Sequence, residues 1–168
     1  MMSGGSDDAL GRFIRLATLA DVEGILDVQE PGAVKGLAHI FPQDEHPFPR
    51  DVLRERWGAE IADSGPEVYV STDHCGRITG FAARRSDELL HFGTAVDLWG
   101  TGLAAWLHDE LLKTYPVSVS RVRLRVFAEN HRARRFYEKC GWTETGVTSR
   151  GQFAPYPVLI EYVRPQGL

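Results

Sequence analysis

The sequence predicts a single mixed α/β domain, because segments with the two-residue period of strands alternate with segments that have the longer period of helices. Residues 121–142 run an alternating strand straight into a short helix. Residues 88–111 carry an apolar run, a glycine turn and an amphipathic stretch, and residues 67–85 contain two strand-like segments around a tight turn. With 168 residues, the chain is long enough to bury one core, and no second domain is indicated.

The N-terminal part is predicted to contain a disordered start, one strand and one helix. Residues 1–11 are small, polar and rich in glycine, and they lack the apolar stretch of a signal peptide. Residues 12–19 read as the first strand, and Thr18 or Asp21 suits the N-cap of the helix that follows. The predicted buried side of this helix comprises Val22, Ile25, Leu26 and Val28.

A second helix and a hairpin come next. Residues 31–49 are rich in Pro, Gly and His and read as an irregular connection, whereas residues 51–62 have helical periodicity. The predicted buried side of the second helix comprises Val52, Leu53, Trp57 and Ile61. Residues 67–72 and 77–85 flank a short Asp-His-Cys-Gly turn, so they are predicted to pair as a hairpin.

The next unit is an apolar run over residues 88–96, a turn with two glycines, and a helix. The predicted buried side of that helix comprises Leu103, Trp106, Leu107 and Leu111. Glycines allow a backbone to approach a pyrophosphate closely, and the free N–H groups at a helix N-terminus then face the anion. An ordinary glycine turn before a buried helix is the alternative explanation of Gly100 and Gly102.

Residues 121–142 hold the most informative pattern of the chain. Apolar residues alternate with arginines in the strand, and they recur at three- and four-residue steps in the helix. These apolar positions are Val122, Leu124 and Val126 in the strand, and Ala133, Phe136, Tyr137 and Cys140 in the helix. Asn130 suits the helix N-cap, and Gly141 stands where a helix ends with positive φ.

These two units resemble the signatures of the GNAT superfamily of acyl-CoA-dependent N-acyltransferases. Matches to its NxxAxxFYExxGW pattern are Asn130, Ala133, Phe136, Tyr137, Glu138, Gly141 and Trp142. Gly100 and Gly102 match its RxxGxG turn, although the family usually has Arg or Gln at the position of Asp97 and Gly at that of Leu98. A carboxylate would repel a pyrophosphate, so Asp97 is expected to point away, to cap the turn or to mark a shifted register.

The resemblance covers residues 12–164, and we place the domain at residues 12–168. It implies a mixed, mostly antiparallel and twisted sheet of six or seven strands, with helices on both faces and a splay where the acyl-CoA enters. The last two strands are expected at residues 143–149 and 158–163. The irregular loop between them would either close one side of the substrate cleft or form a homodimer contact.

The resemblance also implies acetyl-CoA as co-substrate, with no metal. Its site would comprise Phe92, Gly93, Thr94, Leu98, Trp99, Gly100, Thr101, Gly102, Leu103, Asn130, Ala133 and Phe136. Tyr137 would lie near the sulfur as general acid, because a phenol with a pKa of about 10 can protonate a departing thiolate at neutral pH. Packing of Phe136 and Tyr137 on one side of an amphipathic helix is the alternative explanation.

A general base must take the proton of the attacking amine, and the strand before the glycine turn offers Glu88 and His91, of which we prefer Glu88. The two have opposite parity along a strand, so without a bulge only one of them can face the cleft. For each, an ordinary solvated strand residue is the alternative. Candidates for acceptor binding come from the loop that walls the cleft in the family, namely His39, Phe41, Asp44 and Glu45, with a plain surface loop as the alternative.

Composition excludes several classes of partner. The net charge is −4 and the basic residues form no long patch, so nucleic-acid binding is not expected. No apolar run reaches the ~20 residues of a membrane span, and the seven-residue spacing of His39 and His46 fits no tight metal site. The two cysteines, Cys75 and Cys140, make no secreted disulfide framework, so a cytoplasmic location is expected.

The sequence therefore predicts an N-acetyltransferase that uses acetyl-CoA. A primary amine of a small molecule or peptide would attack the thioester directly in a ternary complex, without a covalent enzyme intermediate. The alternative is a non-catalytic module of the same fold that binds or senses acyl-CoA.

Overall fold

The computed structural model describes residues 11–167, which form four α-helices and one seven-stranded sheet. The strands are β1 (Phe13–Leu16), β2 (Glu67–Thr72), β3 (Ile78–Arg85), β4 (Glu88–Thr94), β5 (Arg121–Phe127), β6 (Thr143–Arg150) and β7 (Val158–Pro165). The helices are α1 (Val22–Gly36), α2 (Arg50–Ala62), α3 (Leu103–Leu112) and α4 (His131–Lys139). The segment predicted to be disordered lies outside the described residues, apart from Gly11. Within residues 11–167, no helix is both long and apolar enough to cross a membrane.

The sheet has the strand order β1-β2-β3-β4-β5-β7-β6, and it divides between β4 and β5. All neighbouring strands are antiparallel except this pair, which is parallel and joined only at Glu88 with Arg123 and Leu89 with Leu124. Beyond these residues the two strands separate toward their C-terminal ends. The predicted mostly antiparallel, splayed sheet is therefore confirmed.

Helices cover both faces of the sheet, as predicted. On the α1/α2 face, the core includes Ile25, Leu26, Leu53, Trp57, Val68, Val70, Phe81 and Ala83. On the α3/α4 face, it includes Ala82, Leu89, Leu111, Val122, Leu124, Val126, Tyr137, Trp142 and Tyr162. Phe81, Ala82 and Ala83 thus alternate between the two cores, as successive residues of a strand must.

Three local predictions need correction. Helix α1 does not give way to irregular chain at Pro31 but continues to Gly36, since one proline removes only one of its backbone hydrogen bonds while the buried side stays in place. Val52 is 52% exposed, because Leu53 and Trp57 define the inward side of α2 and Val52 lies beside it. Strand β1 comprises Phe13–Leu16 and is therefore shorter than the predicted strand of residues 12–19.

A buried histidine joins α3 to the end of α4. The side chain of His108 is 1% exposed, and its Nε2 accepts a hydrogen bond of 2.9 Å from Trp142 Nε1. This contact leaves the ring proton on Nδ1, which donates to Asp109 Oδ1 at 2.9 Å. Burial lowers the pKa of His108 despite the opposing effect of Asp109, so the folded protein holds the neutral ring.

We expect this histidine to make the fold less stable in acid. Because the folded pKa lies below the unfolded value of 6.5, the contribution of the neutral ring is complete above pH 6.5 and is lost as the pH falls below it. The free energy of unfolding should fall by up to about 1.4 kcal/mol within one pH unit below that value. Urea denaturation of the His108→Gln variant should lack this decrease, whereas exposed His74→Gln should retain it. An unchanged pH dependence in His108→Gln would assign the effect to other groups.

Candidate functional site

The glycine turn forms an open cradle at the N-terminus of α3. Gly102 caps this helix with φ of 87°, and Gly100 has φ of 81°, values that favour glycine. A Cβ atom built at Gly100 would meet no atom within 4 Å. The first N–H groups of α3 have no partner within the helix, so the backbone here is open to an anion.

A cation that sequence reasoning missed lies beside this cradle. Arg12 donates from Nη2 to the Thr101 carbonyl at 2.9 Å, and the same nitrogen is 3.7 Å from a Cβ built at Gly102. Arg12 and Thr101 are 89 residues apart, so no local pattern could have connected them. The guanidinium thus lies beside the last two residues of the turn before α3.

Asp97, which departs from the family pattern, forms an ion pair with an arginine. Arg77, just before β3, donates to both carboxylate oxygens of Asp97 at 2.8 and 3.0 Å, and both side chains are exposed. Arg77 lowers the pKa of Asp97, so this carboxylate stays ionised and paired. The carboxylate is thus paired with Arg77, an arrangement that the three expectations for Asp97 did not include.

We expect Asp97→Asn to change the dissociation constant of coenzyme A by less than about two-fold. The carboxylate is exposed and its charge is balanced by Arg77, so its electrostatic effect on a bound anion is weak. Isothermal titration calorimetry of the variant and the wild type with coenzyme A measures this. A ten-fold tightening would mean that Asp97 repels the pyrophosphate after all.

The indole of Trp99 is turned out of the turn and lies between α1 and α4. Its Nε1 donates to the Thr94 carbonyl at 3.1 Å. The Arg132 guanidinium lies 3.4 Å from the ring centroid, and Lys35 Nζ lies 5.4 Å from it. The N–H of Trp99 is bonded to the Val96 carbonyl at 3.2 Å, and its side chain ties the turn to the start of α4.

The separated end of β4 presents free backbone groups to the gap. The Ala95 N–H donates to the Thr79 carbonyl of β3 at 2.8 Å. Backbone N–H groups along a strand point alternately to its two neighbours, so those of Gly93 and His91 also point toward β3. The N–H of Phe92 therefore points toward β5, from which β4 has already separated. Gly93 is required for packing, since a Cβ there would stand 2.6 Å from the ring of Phe81.

The start of α4 has the predicted cap, and its aromatic pair lies in the α3/α4 core. The Asn130 side chain accepts from Ala133 N–H at 3.2 Å. Phe136 stacks on Phe92 with ring centroids 5.8 Å apart, and Tyr137 contacts Phe92 and Phe136 edge to face. Tyr137 is 8% exposed, and burial raises its pKa well above the usual phenol value, so it keeps its proton at neutral pH.

A β-bulge brings Glu88 and His91 to the same face. Along β3, Ala83 pairs with His91 and Arg84 with Leu89, which leaves Leu90 as the extra residue. The His91 ring lies against Trp57 of α2 with centroids 4.9 Å apart. Glu88 also projects to the α1/α2 face, so the parity argument does not separate the two candidates.

Glu88 and His91 contact different partners. Both oxygens of Glu88 are ion-paired with arginines of β5, Oε1 with Arg125 at 3.2 Å and Oε2 with Arg123 at 3.4 Å. His91 Nε2 lies 3.0 Å from Oε1 of Glu60. Glu60 belongs to α2 and was missed in the sequence, where it reads as one more polar residue of an amphipathic helix.

The loop between α1 and α2 leans across the end of β5. His39 Nε2 lies 2.8 Å from the Glu129 carbonyl, and Phe41 packs edge to face on Phe127 with centroids 5.5 Å apart. These two residues therefore lie next to the β5-α4 turn, whereas Asp44 and Glu45 are exposed at the tip of the loop. Phe153, in the loop before β7, packs against the α1/α2 core from the other side of the gap.

Comparison with known proteins agrees with this geometry. A family model described as an acetyltransferase (GNAT) domain matches residues 35–154. Spermidine N-acetyltransferase from Vibrio cholerae, in complex with CoA and spermine, superposes with a TM-score of 0.69 at 20% identity and covers 93% of this chain and 96% of its own.

Two further solved structures share the fold. Apo-form YjaB from Escherichia coli has a TM-score of 0.72 at 16% identity over 90% of this chain and 96% of its own. A putative phosphinothricin N-acetyltransferase has a TM-score of 0.70 at 16% identity over 94% of this chain and 99% of its own. No curated protein matched the sequence.

Proposed function

Because the chain belongs to the GNAT family of acetyltransferases, we propose that it transfers an acetyl group from acetyl-CoA to a primary amine of a small molecule or peptide. The observation that carries this proposal is the separation of β4 and β5 beyond Leu89 and Leu124. The gap is flanked by the glycine cradle on one side and by the capped start of α4 on the other.

The residues around the gap fit coenzyme A. The open cradle at Gly100, the N-terminus of α3 and the guanidinium of Arg12 together suit a pyrophosphate. Asn130, Ala133 and the backbone of Phe92 border the gap where a pantetheine arm would run. Bound acetyl-CoA supplies the acetyl group as a thioester with a thiolate as leaving group.

Each step of the transfer has a candidate group in the chain. Phe92 N–H would donate to the carbonyl oxygen as negative charge develops on it. When the amine nitrogen bonds to the acetyl carbon and the carbon–sulfur bond breaks, Tyr137 would give its proton to the sulfur. A base on the α1/α2 face, His91 or Glu88, would take the proton that the amine releases.

Direct attack is favoured over a covalent intermediate. Cys140 is the cysteine nearest the signature residues, but it is half-buried, and burial raises the pKa of its thiol. A thiol held in this form is a poor nucleophile. Cys75 lies in the β2-β3 turn, away from the gap.

The carboxylates at the tip of the α1-α2 loop favour a cationic acceptor. Asp44 and Glu45 are exposed there, in the same loop as Phe41, which packs on Phe127. The Vibrio cholerae neighbour was solved with spermine, a polyamine, which makes polyamines the first acceptors to test. Phe41 would contact the methylene segments of such a chain.

The experiment that tests this function has two steps. Calorimetry with acetyl-CoA measures cofactor binding, and release of free thiol is then followed with spermidine, spermine, phosphinothricin and a peptide with a free N-terminus. Turnover with any of these amines is the expected result. Binding without turnover on any acceptor would favour the sensing module of the same fold, and absence of binding would contradict both.

A further inference from the structure

We propose that Glu60 of α2 is a positioning residue for His91, holding its imidazole so that Nδ1 accepts the proton of the acceptor amine. This inference rests on the proposed acetyl transfer and assigns its general base. It concerns a pair that joins a helix to the bulged strand, with His91 Nε2 3.0 Å from Glu60 Oε1.

The imidazole is held on two sides. Its ring lies edge to face on Trp57, one turn before Glu60 on α2, and Trp57 is fully buried. Trp57 is itself fixed, because its Nε1 donates to Gln29 of α1 at 2.8 Å. The side chains of His91 and Glu60 are 19% and 17% exposed, so the pair lies at the edge of the core rather than in free solvent.

The hydrogen bond selects one tautomer. A carboxylate can only accept, so the neutral ring of His91 carries its proton on Nε2 and has its lone pair on Nδ1. Nδ1 makes no hydrogen bond to another residue within the described range 11–167, and it is not among the buried unpartnered atoms there. The acceptor nitrogen of the ring is therefore free to take a proton.

The surroundings of Glu60 keep it ionised. Burial raises the pKa of Glu60, but His91, Arg56 and Arg85 lower it, and the lowering prevails. Its second oxygen, Oε2, is buried without a hydrogen-bond partner in the described part of the chain. The carboxylate thus directs its one hydrogen bond to His91.

Glu88 cannot replace this arrangement without losing two ion pairs. It shares the α1/α2 face with His91, but Arg123 and Arg125 hold both of its oxygens. Arg56 of α2 and Arg85 of β3 act on Glu60. In the described part of the chain, Glu60 is the charged group within hydrogen-bond distance of the His91 ring.

The first test follows the imidazole itself by NMR and needs no acceptor. In wild type, the 15N shifts of the neutral His91 ring, assigned by their loss in His91→Gln, should show the proton on Nε2. In Glu60→Gln these shifts should move toward a mixture of the two tautomers, because an amide can either accept from the ring nitrogen or donate to it. Glu55→Gln makes the same change at an exposed position of α2 and should keep the wild-type tautomer. The same tautomer in wild type and Glu60→Gln would overturn the proposal.

The second test uses the pH dependence of kcat/KM with acetyl-CoA and whichever amine of the panel is turned over. Glu60→Gln should lower the plateau by about 10-fold to 100-fold and move its rise to lower pH, while Glu55→Gln behaves as wild type. If Glu60→Gln does not fold, Glu60→Asp, which keeps the charge but shortens its reach, should lower the plateau without moving the rise to the same extent.

The two proposals fail in different ways. An active wild type whose Glu60→Gln variant keeps its plateau and pH profile would overturn the role of Glu60 alone. A wild type that binds acetyl-CoA but acetylates no amine would contradict the enzyme function, and the tautomer observed by NMR would still decide whether Glu60 orients the His91 ring.

Discussion

Replacing Tyr137 with phenylalanine is expected to lower the rate of acetyl transfer at saturating acetyl-CoA by about 100-fold or more. The phenol is buried against Phe92 and Trp142, and it stays protonated at neutral pH. Its removal deletes the group that would protonate the departing sulfur and leaves the aromatic packing in place. Because the aromatic packing is retained, coenzyme A affinity, measured by calorimetry, should stay within about three-fold of wild type, a free-energy change well below the 1.4 kcal/mol of a ten-fold difference.

Tyr115→Phe is the matched control for this variant. Tyr115 lies in the same α3/α4 core at 6% exposure, and its hydroxyl is buried without a hydrogen-bond partner in the described part of the chain. Removing that oxygen should cost no stability and leave the rate unchanged. Should Tyr137→Phe match Tyr115→Phe in rate, the acid would have to be water or another group, and Tyr137 would serve packing alone.

The parts of the fold that sequence reasoning predicted best are those in which local pattern and tertiary packing agree. In β5, the alternation of Val122, Leu124 and Val126 with arginines is also the alternation between core and solvent. Asn130 caps α4 through an amide that acts within three residues. Such features depend on neighbours in the chain, so the sequence contains them directly.

The parts of the candidate site that sequence reasoning missed depend on contacts between distant segments. Glu60 and His91 are 31 residues apart, and Arg12 and Thr101 are 89 apart. The bulge at Leu90 is the decisive case, because one extra residue reverses the parity on which the choice between Glu88 and His91 rested. No residue in that run is a glycine or proline that would have indicated it before Gly93.

Replacing Gly100 with alanine is expected to weaken coenzyme A binding by at least about ten-fold, which corresponds to about 1.4 kcal/mol. The residue has φ of 81°, and a Cβ there would point into space that is free of protein atoms within 4 Å. If that space receives the pyrophosphate, a methyl group would hold the anion away from the N–H groups of the cradle. Calorimetry with coenzyme A measures the loss.

Gly76→Ala separates this effect from backbone strain. Gly76, in the β2-β3 turn, also has φ of 81° and no atom within 4 Å of a built Cβ, so both variants should lose a similar ~1 to 2 kcal/mol of stability. Only Gly100→Ala should lose coenzyme A affinity. Equal affinities in the two variants would mean that the pyrophosphate does not approach Gly100, and that the turn before α3 serves the fold alone.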